Sequence, residues 1–362
     1  MSSTPLAQPL AHHDEVDRRL LADFQEFHAR LPSRDKVIYM FFTTDLLHWL
    51  SRALKFVPED VNLVLIGSGL LPEEIAWIER HARRPFHHIA SRVDDVAVLD
   101  YIFATAEHDF GWLHVDCFVL NASLFREMMD LPDDVAFNCI WSQLGAKCLE
   151  TLHSAFLGVN HRVIEAVRAR GIEVSPLPYH YQEGASKGRT ITGRPLFSKT
   201  PTPGQVELLR QVLPSGPGGL PQYPSGSDYF QVMVLYQLVA NALGYRLHPV
   251  RRLVRDGAGT ASNYSNDIIH VNGVATYKRY KQAAGGPTIG NRFYPLLLQA
   301  DHAILSLLTT DVPERYVQLR RELEDDLRQL GLAPAQTKQN LFGYLLQRGV
   351  SKERCVQILG AG

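Results

Sequence analysis

No stretch of this 362-residue sequence approaches the roughly 20 consecutive apolar residues that a helix needs to cross a bilayer. Its start, MSSTPLAQPLAHHDEVDRR, has no apolar run of the signal-peptide kind. Cysteine is sparse: Cys117, Cys139, Cys148 and Cys355 show no C-x-x-C spacing. A free thiol in apolar surroundings behaves as a small hydrophobe, and the expectation is a reduced, cytoplasmic protein without a membrane span. Charge of one sign is missing as well. With 37 basic and 38 acidic residues the formal net charge is −1, so no global field favours nucleic acid or an anionic membrane. Any anionic ligand must be held by a local site. There is no G-K-[ST], and the GSG at 67–69 has Pro72 where a dinucleotide fingerprint needs its third glycine. A tight strand-to-helix turn accounts for those glycines.

What the chain does have is 45% apolar and 21% charged residues, enough for a large core. Val16 to Leu31 has helical apolar spacing. VIYMFFTT (37–44) reads as a strand and DLLHWLSRALKFV as a helix. VNLVLIGSG (61–69) and LPEEIAWIERHA repeat that order, with Pro72 and two acids in the first helical turn. RPFHHIAS is a third strand, VDDVAVLDYIFATAEH a third helix and GWLHVDCFVL a fourth strand. Such alternation predicts an α/β fold, a mostly parallel sheet with helices on both faces. AFNCIWS and HSAFLGVN continue as strands, the latter before a helix that stops at Gly171. Residues 176–226 are rich in Pro, Gly and Ser and are expected to form a long loop, either a lid or a linker. DYFQVMVLYQLVANALGY reads as a helix closed by Gly244, RLHPVRRLV and DIIHVNGVATY as strands, and the chain from about Asn291 as helices.

In GWLHVDCFVLNASLF (111–125) one carboxylate interrupts an apolar segment. Burying Asp116 without a partner is costly, so it either caps a turn or binds a cation at a strand end. His114 lies two residues earlier, on the same strand face, where a sheet of this kind binds ligands beyond the carboxyl ends of its strands. Other residues carry two readings each. His270 in DIIHVNG is a core histidine or a ligand. Asp228 in SGSDYF is a helix N-cap or a base. Lys278, Arg279 and Lys281, interleaved with Tyr277 and Tyr280, are a solvated face or contacts to a phosphate and a ring, and Lys187 and Arg189 are alternative phosphate contacts.

The segment WLHVDCFVLNASLF resembles the D-x-D element of GT-A-fold, nucleotide-sugar-dependent glycosyltransferases. Asp116 matches the second acid, and His114 stands where the family has its first. The resemblance spans roughly residues 35–280 and implies the following. The first strand ends on nucleotide contacts at Thr43, Thr44 and Asp45. Asp116 and His270 bind Mn²⁺ or Mg²⁺, with His114 and Lys278 near the donor, a nucleotide diphosphate sugar. Asp228 acts as the base that activates an acceptor hydroxyl. The domain layout expected is a tail and accessory helix over 1–34, a GT-A-like catalytic domain over 35–285 and a C-terminal helical appendage over 286–362, which shapes the acceptor side or an oligomer contact. The alternatives are a non-catalytic nucleotide-sugar-binding relative and an unrelated α/β nucleotide-dependent enzyme.

Overall fold

The computed structural model describes residues 7–140, 142–144, 150–176, 179–180, 201–213, 215, 229–230, 232–250, 263–271, 273–274 and 294–360. The central element is β1 (Val37–Thr43), seven residues buried without exception. It pairs in parallel with β2 (Leu63–Ser68) on one side and β4 (Phe110–His114) on the other. β3 (Phe86–Ile89) extends the sheet in parallel beyond β2. Continuous apolar runs are what a strand covered on both faces requires, and the two faces sort by alternate residues. Ile38, Met40 and Phe42 of β1 enter one core, and Val37, Tyr39 and Phe41 the other.

The segment expected as one fourth strand divides after His114. β5 (Cys117–Val119) leaves the main sheet for a small one, and Val115 and Asp116 form the turn between them. β6 (Val135–Cys139) resumes the large sheet. The short β7 (Ser142–Leu144) and β8 (Glu150–Leu152) form a separate ribbon. β9 (Phe156–Val159) lies between β4 and β6 and runs antiparallel to both. Gly158 allows its close approach, since a Cβ there would sit 2.0 Å from the Met128 carbonyl oxygen. A second ribbon joins β10 (Tyr179–His180) and β11 (Tyr229–Phe230). β12 (Arg246–Pro249) completes the seven-stranded sheet, in the order β12-β6-β9-β4-β1-β2-β3. β13 (Asn263–Tyr264) and β14 (Ile268–His270) complete the small sheet beside β5.

One face is covered by α1 (Ala7–Ala29), α4 (Asp95–Thr105), α6 (His161–Ala169) and α8 (Val234–Ala242), around Phe24, Ile102, Ile164 and Tyr236. The other carries α2 (Leu47–Leu54), α3 (Pro72–His81), α5 (Ser123–Met128) and the C-terminal helices α9 (Tyr294–Leu305), α10 (Glu314–Gln329), α11 (Thr337–Gln347) and α12 (Lys352–Leu359). These last four share a core with the sheet: His48 Nε2 and Trp49 Nε1 of α2 each lie 2.6 Å from Asp301 Oδ1 of α9.

Three expectations are revised. α1 begins well before Val16. The helix read from Asp228 starts only at Val234, after β11. The loop 176–226 contains a regular helix, α7 (Pro203–Val212), capped by Thr202 and Gln205 in a reciprocal box. Gly171 and Gly244, at φ +70° and +91°, end α6 and α8 as the sequence suggested. No described helix is long and apolar enough to cross a membrane.

Candidate active site

β2 and β3 lie on one side of β1, and the next strand of the sheet, β4, on the other. The chain therefore reverses direction across the sheet at β1 and β4, and the crevice outside their carboxyl ends is where an open α/β sheet binds its ligand. Both strands end on polar residues there, Thr43 on β1 and His114 on β4.

The turn after β4 brings up Asp116. β14 runs antiparallel to β5 with His270 opposite Cys117, and the Asp116 carbonyl accepts a hydrogen bond from the Val271 N–H at 3.0 Å. That register sets the His270 ring against the carboxylate, with Nε2 3.3 Å from Asp116 Oδ1; His114 Nδ1 lies 4.0 Å from the same oxygen. One ligand atom from each of His114, Asp116 and His270 falls within 4.8 Å of the other two. His270 is fully buried, Asp116 nearly so, and His114 half-buried on the open side. Burial pushes the Asp116 carboxyl up, but His270 and then His114 more than offset it and hold it below the usual carboxylate value. Burial, together with the Asp116 charge, drives the neighbouring Cys117 thiol well up. Cys117, Cys139 and Cys355 are buried.

Thr43, Thr44 and Asp45 stand at the adjoining strand end, and the last two are tied to a different group. Thr44 Oγ1 donates to Glu74 Oε2 at 2.9 Å, and the Asp45 N–H to Glu74 Oε1 at 2.9 Å. The Leu71 N–H and the Tyr316 hydroxyl also donate to Glu74, at 2.8 and 2.6 Å. Asp45, in the left-handed region at φ +66°, receives Arg315 through Nε and Nη2, both at 2.8 Å, and Arg315 also reaches Glu322. Thr43 is buried. Thus the structure joins His114, Asp116 and His270 and commits the Asp45 carboxylate to Arg315. Asp228 and Lys278 lie outside the described residues, as do Arg279, Lys281, Tyr277, Tyr280, Lys187 and Arg189.

One neighbour went unnoticed in the sequence. His153, in the turn before β9, has its ring centroid 5.2 Å from that of His270, while His114 is 5.4 Å away on its own side. The signal was available only through pairing, since β9 had to be placed beside β4.

A mostly parallel sheet with a carboxylate and imidazoles at its switch point defines an α/β enzyme with a ligand crevice at that point. Residues 14–164 match the family model of the StrH glycosyltransferase N-terminal domain, a span that holds His114, Asp116 and His153. The chain is 26% identical, over 95% of its own length and 92% of the relative's, to the dTDP-dihydrostreptose--streptidine-6-phosphate dihydrostreptosyltransferase of Streptomyces griseus. On these matches the chain is a glycosyltransferase. Among solved structures it is similar to the glycosyltransferase GlyE of Streptococcus pneumoniae TIGR4 at 11% identity and TM-score 0.26, covering 39% of this chain and 41% of that one. A cytidylyltransferase of Leptospira borgpetersenii serovar Hardjo-bovis matches at 12% identity and TM-score 0.24, over 38% and 64%. Likenesses this partial add nothing to the assignment.

Proposed function

We propose that this glycosyltransferase is of the GT-A kind, and that it transfers a sugar from a nucleoside diphosphate sugar to an acceptor hydroxyl with the donor diphosphate held over His114, Asp116 and His270. The observation that carries the reading is the convergence of these three side chains at the switch point of the sheet. The Streptomyces griseus relative is named for a dTDP-sugar donor and a phosphorylated acceptor. A thymidine diphosphate sugar is therefore the first donor to test.

The donor set fits a divalent ion. One ligand atom from each of His114, Asp116 and His270 lies within 4.8 Å of the other two, and these are the side chains that would hold it. Two imidazoles with one carboxylate suit Mn²⁺ better than Mg²⁺, which prefers oxygen ligands and water. When bound, such an ion offsets the negative charge of the departing diphosphate. The chain's own residues prepare that place. His270 and His114 keep Asp116 ionised despite its burial, and the β5–β14 pairing fixes His270 relative to the carboxylate. The Glu74 network holds the β1 end rigid beside them.

The test is thermal stability of the parent and of Asp116→Ala against a panel of nucleoside diphosphates, with and without Mn²⁺. A ligand that binds only the folded state raises its melting point. The expected result is a Mn²⁺-dependent shift with one diphosphate that disappears in the variant. No shift with any diphosphate, from a folded parent, contradicts the donor site.

A further inference from the structure

The loop that follows β1 does not set its own conformation. Asp45 has φ +66°, in the left-handed region that residues other than glycine seldom adopt. α2, which begins two residues later, has Leu46 at its N-cap and no side-chain cap, although the first amides of a helix have no partner within it. Both needs are met from α10, about 270 residues further along the chain.

The Tyr316 hydroxyl accepts the Leu47 N–H at 2.8 Å and donates to Glu74 Oε1 at 2.6 Å. It is fully buried. Burial, and then the Glu74 charge, push its ionisation well up, so it keeps its proton and stays a donor. The same Glu74 oxygen accepts the Asp45 N–H, and the other oxygen accepts the Leu71 N–H from the loop after β2. Arg315 grips the Asp45 carboxylate with two nitrogens, and its own backbone N–H donates to Glu73 Oε1 at 3.2 Å. Two consecutive residues of α10 thus fasten the loops after β1 and β2 to each other and to the C-terminal helices.

The fastening lies beside the cluster. β1 pairs with β4 as far as Phe41 and His114 and then runs on for two residues, so the loop begins just past the strand end that carries the first imidazole. Arg315 and Tyr316 both fall outside the span 14–164 that matches the family model. An unusual backbone conformation held by its surroundings is a recurrent feature of functional segments.

We propose that Tyr316, assisted by Arg315, is a positioning residue for the nucleoside diphosphate, holding the loop after β1 in the conformation that the bound donor requires. This rests on the donor-site reading above. Without these contacts the loop samples other conformations, and the apparent affinity falls with the fraction that is competent to bind. Saturating donor restores the loop, so the loss falls on KM rather than on kcat.

The experiment is calorimetric titration of Mn²⁺, and then of thymidine diphosphate at saturating Mn²⁺, into the parent, Tyr316→Phe, Arg315→Gln and Val163→Ala, with a melting curve of each. Val163 is buried in α6 on the opposite face of the sheet and supplies a variant destabilised away from the loop. Expected for Tyr316→Phe are a Mn²⁺ affinity within about twofold of the parent and a thymidine diphosphate affinity about tenfold weaker, the scale of one hydrogen bond to a charged group. Arg315→Gln, at a half-buried position that tolerates change, shows a smaller loss of the same kind. Val163→Ala melts earlier yet keeps both affinities. In turnover, Tyr316→Phe raises KM for the thymidine diphosphate sugar about tenfold with kcat within about twofold. Unchanged diphosphate affinity in folded Arg315→Gln and Tyr316→Phe would overturn the proposal. So would an equal loss in Val163→Ala, which would make the effect one of general stability. A parent that binds no nucleoside diphosphate from the panel would remove the donor-site reading and this inference with it, an outcome seen in the parent alone.

Discussion

Glu74 and Asp116 are both buried carboxylates at the carboxyl ends of neighbouring parts of one sheet, and they satisfy their charge by opposite means. Glu74 sits in the first turn of α3, where the helix dipole favours an acid. It accepts four hydrogen bonds from two backbone amides and two hydroxyls. Those donors are fixed by the fold and none of them titrates near neutral pH, so this carboxylate is complete as it stands. Asp116 instead faces two imidazoles, at 3.3 and 4.0 Å. Imidazoles are common metal ligands, which amides and hydroxyls are not. Two equally buried acids are thus told apart only by the chemistry of their partners.

The comparison can be broken from either side, and the largest effect belongs to Glu74. Glu74→Ala leaves its buried donors unsatisfied and should cost about 3 kcal/mol or more in chemical denaturation. Asp116→Asn should invert that pattern. It should lower sugar transfer by about a hundredfold or more, the scale of losing one electrostatic stabiliser, with a stability change well below that of Glu74→Ala. If the two variants lose stability equally, the distinction between the two carboxylates fails. A smaller effect is expected at Arg315, whose two-pronged contact with Asp45 a lysine cannot reproduce. Arg315→Lys should cost about 1 kcal/mol and raise KM for the donor, because it loosens the loop after β1, while Mn²⁺ affinity stays unchanged.

The smallest effect concerns pH, far from the site. Burial holds the pKa of His28 and of His87 below the ordinary 6.5, against a partial opposing pull from Glu107 on the first and Asp23 on the second. Both rings contact Phe24 of α1. A depressed folded pKa means that stability is full above the unfolded value and declines as pH falls from there through the folded one. Melting temperature should therefore drop on acidification below about 6.5, and His87→Gln should reduce the slope.

Much of the sheet was legible in the sequence because buried parallel strands write themselves as unbroken apolar runs, as in VIYMFFT and LVLIGS. The reversed direction of β9 was not, since nothing within FLGV distinguishes an antiparallel strand from a parallel one. α7 was missed because the surrounding prolines and glycines outweighed a local sign that was present, Thr202 and Gln205 three residues apart ahead of an apolar face. The pairing of Asp116 with His270 is reached only through the resemblance to GT-A glycosyltransferases, which implies a carboxylate after the fourth strand and a histidine on a late one. The partners of Asp45 and Glu74 are not reached in that way. Arg315 and Tyr316 lie 270 and 242 residues away from them, and only the packing of α10 against α2 and α3 brings them in. His153 belongs to the same class: its place beside His270 depends on which strand lies next to β4.

The central claim is that Asp116 and its imidazoles hold the ion beneath the donor diphosphate. Its most direct test is donor turnover, read as release of thymidine diphosphate from a thymidine diphosphate sugar, in chelator and then after Mn²⁺ is restored, for the parent and for Asp116→Asn. The account predicts that chelation stops the parent, that Mn²⁺ restores it, and that the variant remains inactive in both conditions while still folded. Full turnover by the parent in chelator, or by Asp116→Asn, would contradict it.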